Sequence, residues 1–130
     1  MKVTRIALEA MLNKNVVELR FSRRHLKPGW KQYRRMLCTN NTQLLYSAPG
    51  RIALNYQPPS RSPPFVPAHY NLVNTWDIFW QDYRNISCDA VDVVTMIPLT
   101  NEEEADKFWN YFNLYLESMS PQQKMNFMNT

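Results

Sequence analysis

The sequence has little glycine, cysteine and histidine, and each shortage excludes a class of site. Two glycines in 130 residues leave no glycine-rich loop of the kind that surrounds the phosphates of a bound nucleotide. The two cysteines and two histidines do not stand at zinc-finger spacing, and two cysteines are too few for a disulfide scaffold. We therefore expect no cofactor, no metal site and no catalytic residue, and the protein is predicted not to be an enzyme.

Long apolar segments are also missing. No window reaches the length of about 18 apolar residues that a membrane-spanning helix needs. Glu9 interrupts the apolar run near the start of the chain, which argues against a secretory signal. Cys38 and Cys88 are expected to be small, buried apolar residues. These absences predict an intracellular protein, cytoplasmic or nuclear, that does not span a membrane.

Positive charge is concentrated in the first 35 residues. The whole chain has a formal net charge of +4. Residues 1–35 contain ten basic and two acidic residues, whereas the remaining residues contain five basic and nine acidic ones. Such asymmetry is typical of a protein whose basic end meets a polyanion, or of a chain that pairs its own faces in an oligomer. A solvated basic face without a partner is the alternative.

The length of the chain and the order of its patterns predict its fold class. A chain of 130 residues forms a single domain, residues 1–130, around one core. Residues 1–56 are basic and rich in strand patterns, residues 57–67 are rich in proline, and residues 68–130 are acidic and rich in helix patterns. We expect an α+β fold with an antiparallel sheet of about four to five strands and helices packed on one face. An amino-terminal helix and a carboxy-terminal helix pair belong to it.

Hydrophobic periodicity gives the expected positions of the elements. Apolar spacing predicts helices over residues 3–14 and 72–86, although the second range also fits a strand. Alternating or β-branched patterns predict strands at residues 17–21, 36–38 and 89–99.

Turn and cap residues add three local predictions. Two apolar runs within residues 43–56 flank Pro49-Gly50, which predicts a hairpin with a type II turn. Thr100 and Ser120 each begin a capping-box sequence and are the predicted N-caps of the two carboxy-terminal helices.

The stretch from Arg20 to Arg35 contains the candidate nucleic-acid site. Basic and aromatic residues interleave there, and arginine, whose planar fork suits phosphate, outnumbers lysine. Exposed rings between basic residues stack on unpaired bases, which favours RNA or another single strand over duplex DNA. The predicted nucleic-acid-binding residues are Arg20, Arg23, Arg24, Lys27, Trp30, Lys31, Tyr33, Arg34 and Arg35. In the alternative interpretation, Phe21 and Trp30 are core residues that the arginines merely border.

The proline-rich segment is a candidate partner site. Residues 57–67 hold five prolines in 11 positions, so the segment is predicted to be extended. Arg61, Pro64 and Pro67 have the spacing of ligands for aromatic-grooved peptide-binding domains. The alternative is that Phe65 and Val66 fix the segment to the core.

Aromatic residues make up 13% of the chain, including four tryptophans. This is a surplus for one small core, and aromatic side chains are enriched in contact surfaces. Trp76, Trp80 and Trp109 are therefore predicted to bind a partner, most simply a second copy of the chain. The alternative is one aromatic-rich core between two helices.

Together, these patterns predict a small non-enzymatic protein that contacts nucleic acid through its basic region and self-associates through aromatic helices. That combination is typical of accessory proteins of viruses and mobile elements. The alternative function is a protein-interaction or matrix-like structural protein with no nucleic-acid role.

Overall fold

The computed structural model describes residues 3–23, 25–59 and 66–129, and its centre is a five-stranded antiparallel sheet. The order across the sheet is β4-β3-β2-β1-β5. Every pair of neighbouring strands is antiparallel. The strands are β1 (Asn15–Ser22), β2 (Tyr33–Thr39), β3 (Leu72–Asp77), β4 (Asp82–Ser87) and β5 (Val91–Pro98). The prediction of a small α+β domain with an antiparallel sheet is confirmed.

Helices precede, interrupt and follow the strands. They are α1 (Arg5–Lys14), α2 (Thr42–Leu45), α3 (Ala48–Ala53), α4 (Glu102–Tyr111) and α5 (Pro121–Met128). A π-helical turn, Phe112–Leu116, continues α4, and short 3-10 turns cover Pro67–Tyr70 and Cys88–Ala90. Within the three described ranges, no helix combines the length and the apolar character needed to cross a membrane.

The core lies on both faces of the sheet. Successive side chains of a strand point to opposite faces, and in β1 Val17 and Leu19 pack with Leu8 of α1, whereas Val16 packs with Phe108 of α4. All five of these side chains are fully buried. The helices therefore cover both faces, and the expectation that they pack on one face is wrong.

The helix predicted over residues 72–86 is instead the β3–β4 hairpin. Its turn is fixed by Asp77, whose carboxylate accepts hydrogen bonds from the backbone N–H groups of Phe79 and Trp80. Gln81 completes the turn with a φ of 57°. The sequence pattern indicates a helix there because β3 is buried on both faces, so its apolar residues do not alternate cleanly with polar ones.

The hairpin predicted over residues 43–56 is instead the helix pair α2 and α3. Asn41 caps α2 by accepting from Leu44 N–H, and Ser47 caps α3 by accepting from Gly50 N–H. A Cβ on Gly50 would lie 1.9 Å from the carbonyl oxygen of Leu44. This glycine therefore serves a close approach of two backbones and not a type II turn.

One of the two predicted carboxy-terminal caps is confirmed. Ser120 and Gln123 form the capping box of α5, with both reciprocal hydrogen bonds present. The cap of α4 is Asn101, whose side chain accepts from Glu104 N–H, so the assignment to Thr100 is wrong. Both residue types suit an N-cap, and the helix begins one residue later than the capping-box pattern predicts.

Strands and helices occur on both sides of the proline-rich segment. β3, β4 and β5 all follow the proline-rich segment, whereas α1, α2 and α3 precede it. Of that segment, residues 57–59 and 66–67 are described. Arg61, Pro64 and Phe65 lie outside the described residues.

Strands β2 and β3 pair only at Cys38 and Thr39, near the end of β2. Helix α5 lies beside the part of β2 that β3 does not reach. The sulfur of Met128 is 3.3 Å from Nη2 of Arg34, and the guanidinium carbon of Arg35 is 4.4 Å from the ring centroid of Phe127. Because Arg34 and Arg35 point to opposite faces of the sheet, α5 follows the side of β2 and helps to form the site described next.

Candidate nucleic-acid interface

The β1–β2 pairing divides the predicted basic residues between the two faces of the sheet. Phe21 is paired with Arg34, and Arg20 is paired with Arg35. Alternate residues of a strand share a face, so Arg34 and Phe21 lie on the side that α1 covers. Arg20 and Arg35 lie on the other side.

A cleft of about 220 Å³ opens on the Phe21 side of the sheet. The β1–β2 loop, the β3–β4 hairpin and α5 each supply part of its wall. Three guanidinium groups and three aromatic rings meet there. The residues of this arginine cleft are Phe21, Arg23, His25, Trp30, Arg34, Trp80, Arg84, Met125 and Met128.

A buried ion pair positions Arg34 in the arginine cleft, and its carboxylate, Asp77, lies behind the lining residues. Nη2 of Arg34 lies 2.6 Å from Oδ2 of Asp77, and the two side chains are 9% and 1% exposed. A buried charge is costly unless it is paired, so Asp77 holds the guanidinium of Arg34 in place. The same carboxylate caps the β3–β4 turn, which ties the position of Arg34 to the hairpin that carries Trp80.

Arg84 forms the second basic group of the cleft. Its guanidinium carbon is 4.5 Å from the ring centroid of Trp80. Its Nε is buried and has no hydrogen-bond partner within the described ranges. Burial and, secondarily, the charge of Arg34 lower the pKa of Arg84, while Asp77 and the exposed Asp82 raise it. No carboxylate of the described residues is within ion-pair distance of Arg84.

Arg23 is the third basic group, and its partners are neutral. It donates hydrogen bonds to the carbonyl oxygens of Lys31 and Tyr33 and to Oδ1 of Asn129. Its guanidinium carbon is 4.9 Å from the ring centroid of Trp30. Burial lowers the pKa of Arg23, and so does the charge of Arg34. The described lining of the cleft thus holds three guanidinium groups and no carboxylate, while Asp77 pairs with Arg34 behind it.

Two tryptophan rings border the cleft and remain accessible. Trp30 is 38% exposed and Trp80 is 50% exposed. The ammonium of Lys27 lies 5.0 Å from the centroid of the Trp30 ring. A cation over the face of an indole is attracted to it, so both rings are held among positive charges while part of their surface stays open to solvent.

The remaining predicted nucleic-acid residues do not line the cleft. Arg35 forms an ion pair of 2.6 Å with Glu18 on the other face, and Arg20 lies 4.4 Å from the centroid of the exposed Tyr33 ring. Lys31 is exposed on the β1–β2 loop. Arg24 lies outside the described residues.

The predicted partner-binding residues have three different positions. Trp76 is 2% exposed within the core, which removes it from the partner-binding set. Trp109 is partly buried against Phe108 and Phe112, whereas Trp80 borders the arginine cleft. Pro67 begins a 3-10 turn, and Arg61 and Pro64 are outside the described residues.

Sequence reasoning missed Arg84 and the methionines of α5. The stretch from Asp82 to Ser87 gives no clean strand signal, because Tyr83 and Ile86 lie on opposite faces of β4. Taken as the second strand of a hairpin, it would have put Arg84 on the same face as Asp77, because Thr75 pairs with Arg84. No local sequence pattern predicts that Met125 and Met128 reach the face of the sheet on which the arginine cleft opens.

Comparison of the chain with protein-family models, curated proteins and solved structures gave no match. In the part of the chain that the structure describes, no three His, Cys, Asp or Glu side chains are grouped as metal ligands would be.

Proposed function

We propose that this protein binds single-stranded nucleic acid, without catalysing a reaction, through the arginine cleft and the neighbouring β1–β2 loop. The observation that carries the proposal is the meeting of Arg23, Arg34 and Arg84 beside the accessible rings of Trp30 and Trp80. Each component matches one part of a nucleotide: guanidinium groups bind phosphate oxygens, and indole rings stack on bases.

The accessible rings favour a single strand over a duplex. Stacking on a side chain requires an unpaired base whose face is open, and bases inside a duplex are covered by their neighbours. The two indoles belong to different segments, the β1–β2 loop and the β3–β4 hairpin. A purely solvated basic face would not require aromatic side chains from two distant segments to border the same group of arginines.

Exposed basic residues next to the cleft support the same proposal. Lys27 and Lys31 are exposed on the β1–β2 loop, and exposed positive charge attracts a polyanion before specific contacts form. Arg34 plays a different part, because its charge is balanced by Asp77. It helps to shape the cleft, whereas Arg23 and Arg84 contribute the uncompensated charge.

The experiment is a salt series of binding to a fluorescent single-stranded RNA, with a duplex of the same sequence as comparison. We expect the single strand to bind more tightly. Arg84→Gln should weaken binding and reduce the salt slope by about one unit, which corresponds to one lost phosphate contact. Arg51→Gln is the matched control, because Arg51 is exposed on α3 and lies over the Tyr46 ring. An Arg84→Gln protein with the parent's affinity and salt slope would contradict the proposal.

Self-association is the second candidate function, and a separate surface favours it. Tyr111, Leu114 and Tyr115 are 38%, 67% and 60% exposed on α4 and its π-helical continuation. Large apolar side chains grouped on a surface are typical of contact sites. We expect sedimentation equilibrium to show a dimer that Leu114→Ser weakens and Ile52→Ser, at an exposed position on α3, does not. A monomeric mass at high micromolar concentration would contradict this candidate.

A further inference from the structure

We infer that the arginine cleft is a pocket for a terminal phosphate of a nucleic-acid strand, an inference that rests on the proposed nucleic-acid binding. The ligand class is a phosphomonoester attached to an unpaired nucleotide, whose base lies against the exposed part of the Trp30 or Trp80 ring. The protein would then recognise the phosphorylated end of a strand in addition to the phosphates along the strand.

The charge of the cleft matches a phosphomonoester better than a phosphodiester. Arg23, Arg34 and Arg84 line the cleft, and no carboxylate is among its described lining residues. Asp77, buried behind the lining, pairs with Arg34, which leaves a surplus of two positive charges. A terminal phosphate carries about −1.5 to −2 charges at pH 7, whereas each internal phosphate of a strand carries about one. The exposed carboxylate of Asp82 acts on Arg84 but does not line the cleft.

The size and walls of the cleft point in the same direction. Its volume of about 220 Å³ is below the range of about 300–1,000 Å³ typical of pockets that enclose a whole small molecule. It can therefore hold a phosphate group and the adjoining sugar edge, while the base remains outside. Walls from three segments, and an Arg34 side chain that Asp77 holds in place behind the lining, suit a small terminal group.

Arg84 offers its terminal N–H groups to this ligand. Its Nε is buried without a partner among the described residues, although buried N–H groups in folded proteins are nearly always hydrogen-bonded. The guanidinium of Arg84 lies against the Trp80 ring, with its carbon 4.5 Å from the ring centroid. A phosphate in the cleft would accept from the terminal N–H groups of Arg84, because the buried Nε is not accessible from the cleft.

The test compares strands that differ only at their ends. Single-stranded RNA of about ten nucleotides, within the site size of known single-strand binders, is prepared with a 5′-phosphate, with a 3′-phosphate or with hydroxyls at both ends. We expect one phosphorylated strand to bind about tenfold more tightly than the hydroxyl-ended one, the ratio that one charged hydrogen bond gives. The phosphorylated strand that binds more tightly shows whether the cleft recognises the 5′ or the 3′ end.

Variants locate the preference within the fold. Arg84→Gln should bring the affinity ratio of phosphorylated to hydroxyl-ended strand close to one, while Arg51→Gln should keep the parent's ratio. Trp80→Leu, at an exposed position, should also lower the ratio and provides a second variant if Arg84→Gln fails to fold. Circular dichroism identifies variants that are folded.

The possible results separate the inference from the proposed function. Equal, salt-dependent binding of all three strands would retain the proposed function and overturn the inference. Absence of binding by every strand would overturn both. An unchanged phosphate preference in folded Arg84→Gln and Trp80→Leu proteins would place the end-binding site elsewhere. A phosphotyrosine peptide that binds more tightly than any strand would assign the cleft to phosphopeptides and would also overturn the inference.

Discussion

Nη2 of Arg34 lies 2.6 Å from Oδ2 of Asp77, and these two buried residues are separated by 43 positions in the chain. The pair joins the part of β2 that has no β3 partner to the end of β3, where the β3–β4 turn begins. It therefore connects the basic first segment of the protein to the hairpin that carries Trp80 and Arg84.

The first prediction concerns this pair. Asp77→Asn leaves the guanidinium of Arg34 buried without a counter-charge, so we expect the free energy of unfolding to fall by about 3–5 kcal/mol. Urea denaturation measures the change. Asp106→Asn, at an exposed position on α4, is the matched control and should change stability by less than about 0.5 kcal/mol. Similar stabilities for the two variants would show that the ion pair does not hold the fold.

The second prediction concerns the contact between α2 and α3. Gly50→Ala places a methyl group where the carbonyl oxygen of Leu44 now lies, 1.9 Å from the new Cβ. The two backbones must separate, and overpacking of this kind costs about 1–3 kcal/mol. Gly29→Asn is the comparison, because Gly29 has a φ of +83° with open space around it and asparagine tolerates positive φ. If both variants melt like the parent, the close approach of the two helices is wrong.

The third prediction distinguishes the two candidate caps of α4. Asn101→Ala removes the oxygen that accepts from Glu104 N–H, so we expect a loss of about 1 kcal/mol and a melting temperature lower by about 4 °C. Thr100→Ala should melt within about one degree of the parent, since surface substitutions away from caps have small effects. The reverse order of melting temperatures would restore Thr100 as the cap.

The fourth prediction concerns the two thiols. Burial and, secondarily, the charge of Asp77 raise the pKa of Cys38 above its ordinary value of 9.0; burial and then Asp89 raise the pKa of Cys88. Both thiols are therefore protonated and poorly nucleophilic in the folded protein at pH 8. Ellman's reagent should react slowly with native protein and rapidly with both thiols after unfolding. Rapid reaction of the native protein at pH 8 would contradict their buried positions.

The same shift sets the sign of a pH effect. Because the folded protein favours the protonated thiol, the stability that this gives is present below the ordinary pKa near 9.0 and is lost as the pH rises above it. Urea midpoints measured from pH 8 upward should therefore decrease.

The sequence predicts those parts of the fold that local patterns determine. Apolar and polar residues alternate along β1, and α1 has an apolar stripe. Ser120 and Gln123 have the spacing of a capping box. The strand, the helix and the capping box are all present in the structure. The β3–β4 hairpin was missed because Val73 and Trp76 are buried on opposite faces of the same strand. A strand that is covered on both sides has no period-two signal to detect.

The candidate site is less predictable than the fold because packing assembles it. The basic and aromatic composition of residues 20–35 indicates phosphate and base contacts, but it does not show that Arg35 faces away from Arg34. Arg84 and Trp80 reach the cleft only through the hairpin, and Met128 only through the course of α5 beside β2. No sequence spacing links these three segments.

The most direct test of the account is an NMR titration of the four tryptophan indole N–H signals with a single-stranded oligonucleotide. Trp30 and Trp80 border the arginine cleft, whereas Trp76 is buried in the core and Trp109 packs against Phe108 on the opposite side of the sheet. We expect the signals of Trp30 and Trp80 to shift on binding and those of Trp76 and Trp109 to stay unchanged. Shifts confined to Trp109, or no shift at saturating oligonucleotide, would contradict it.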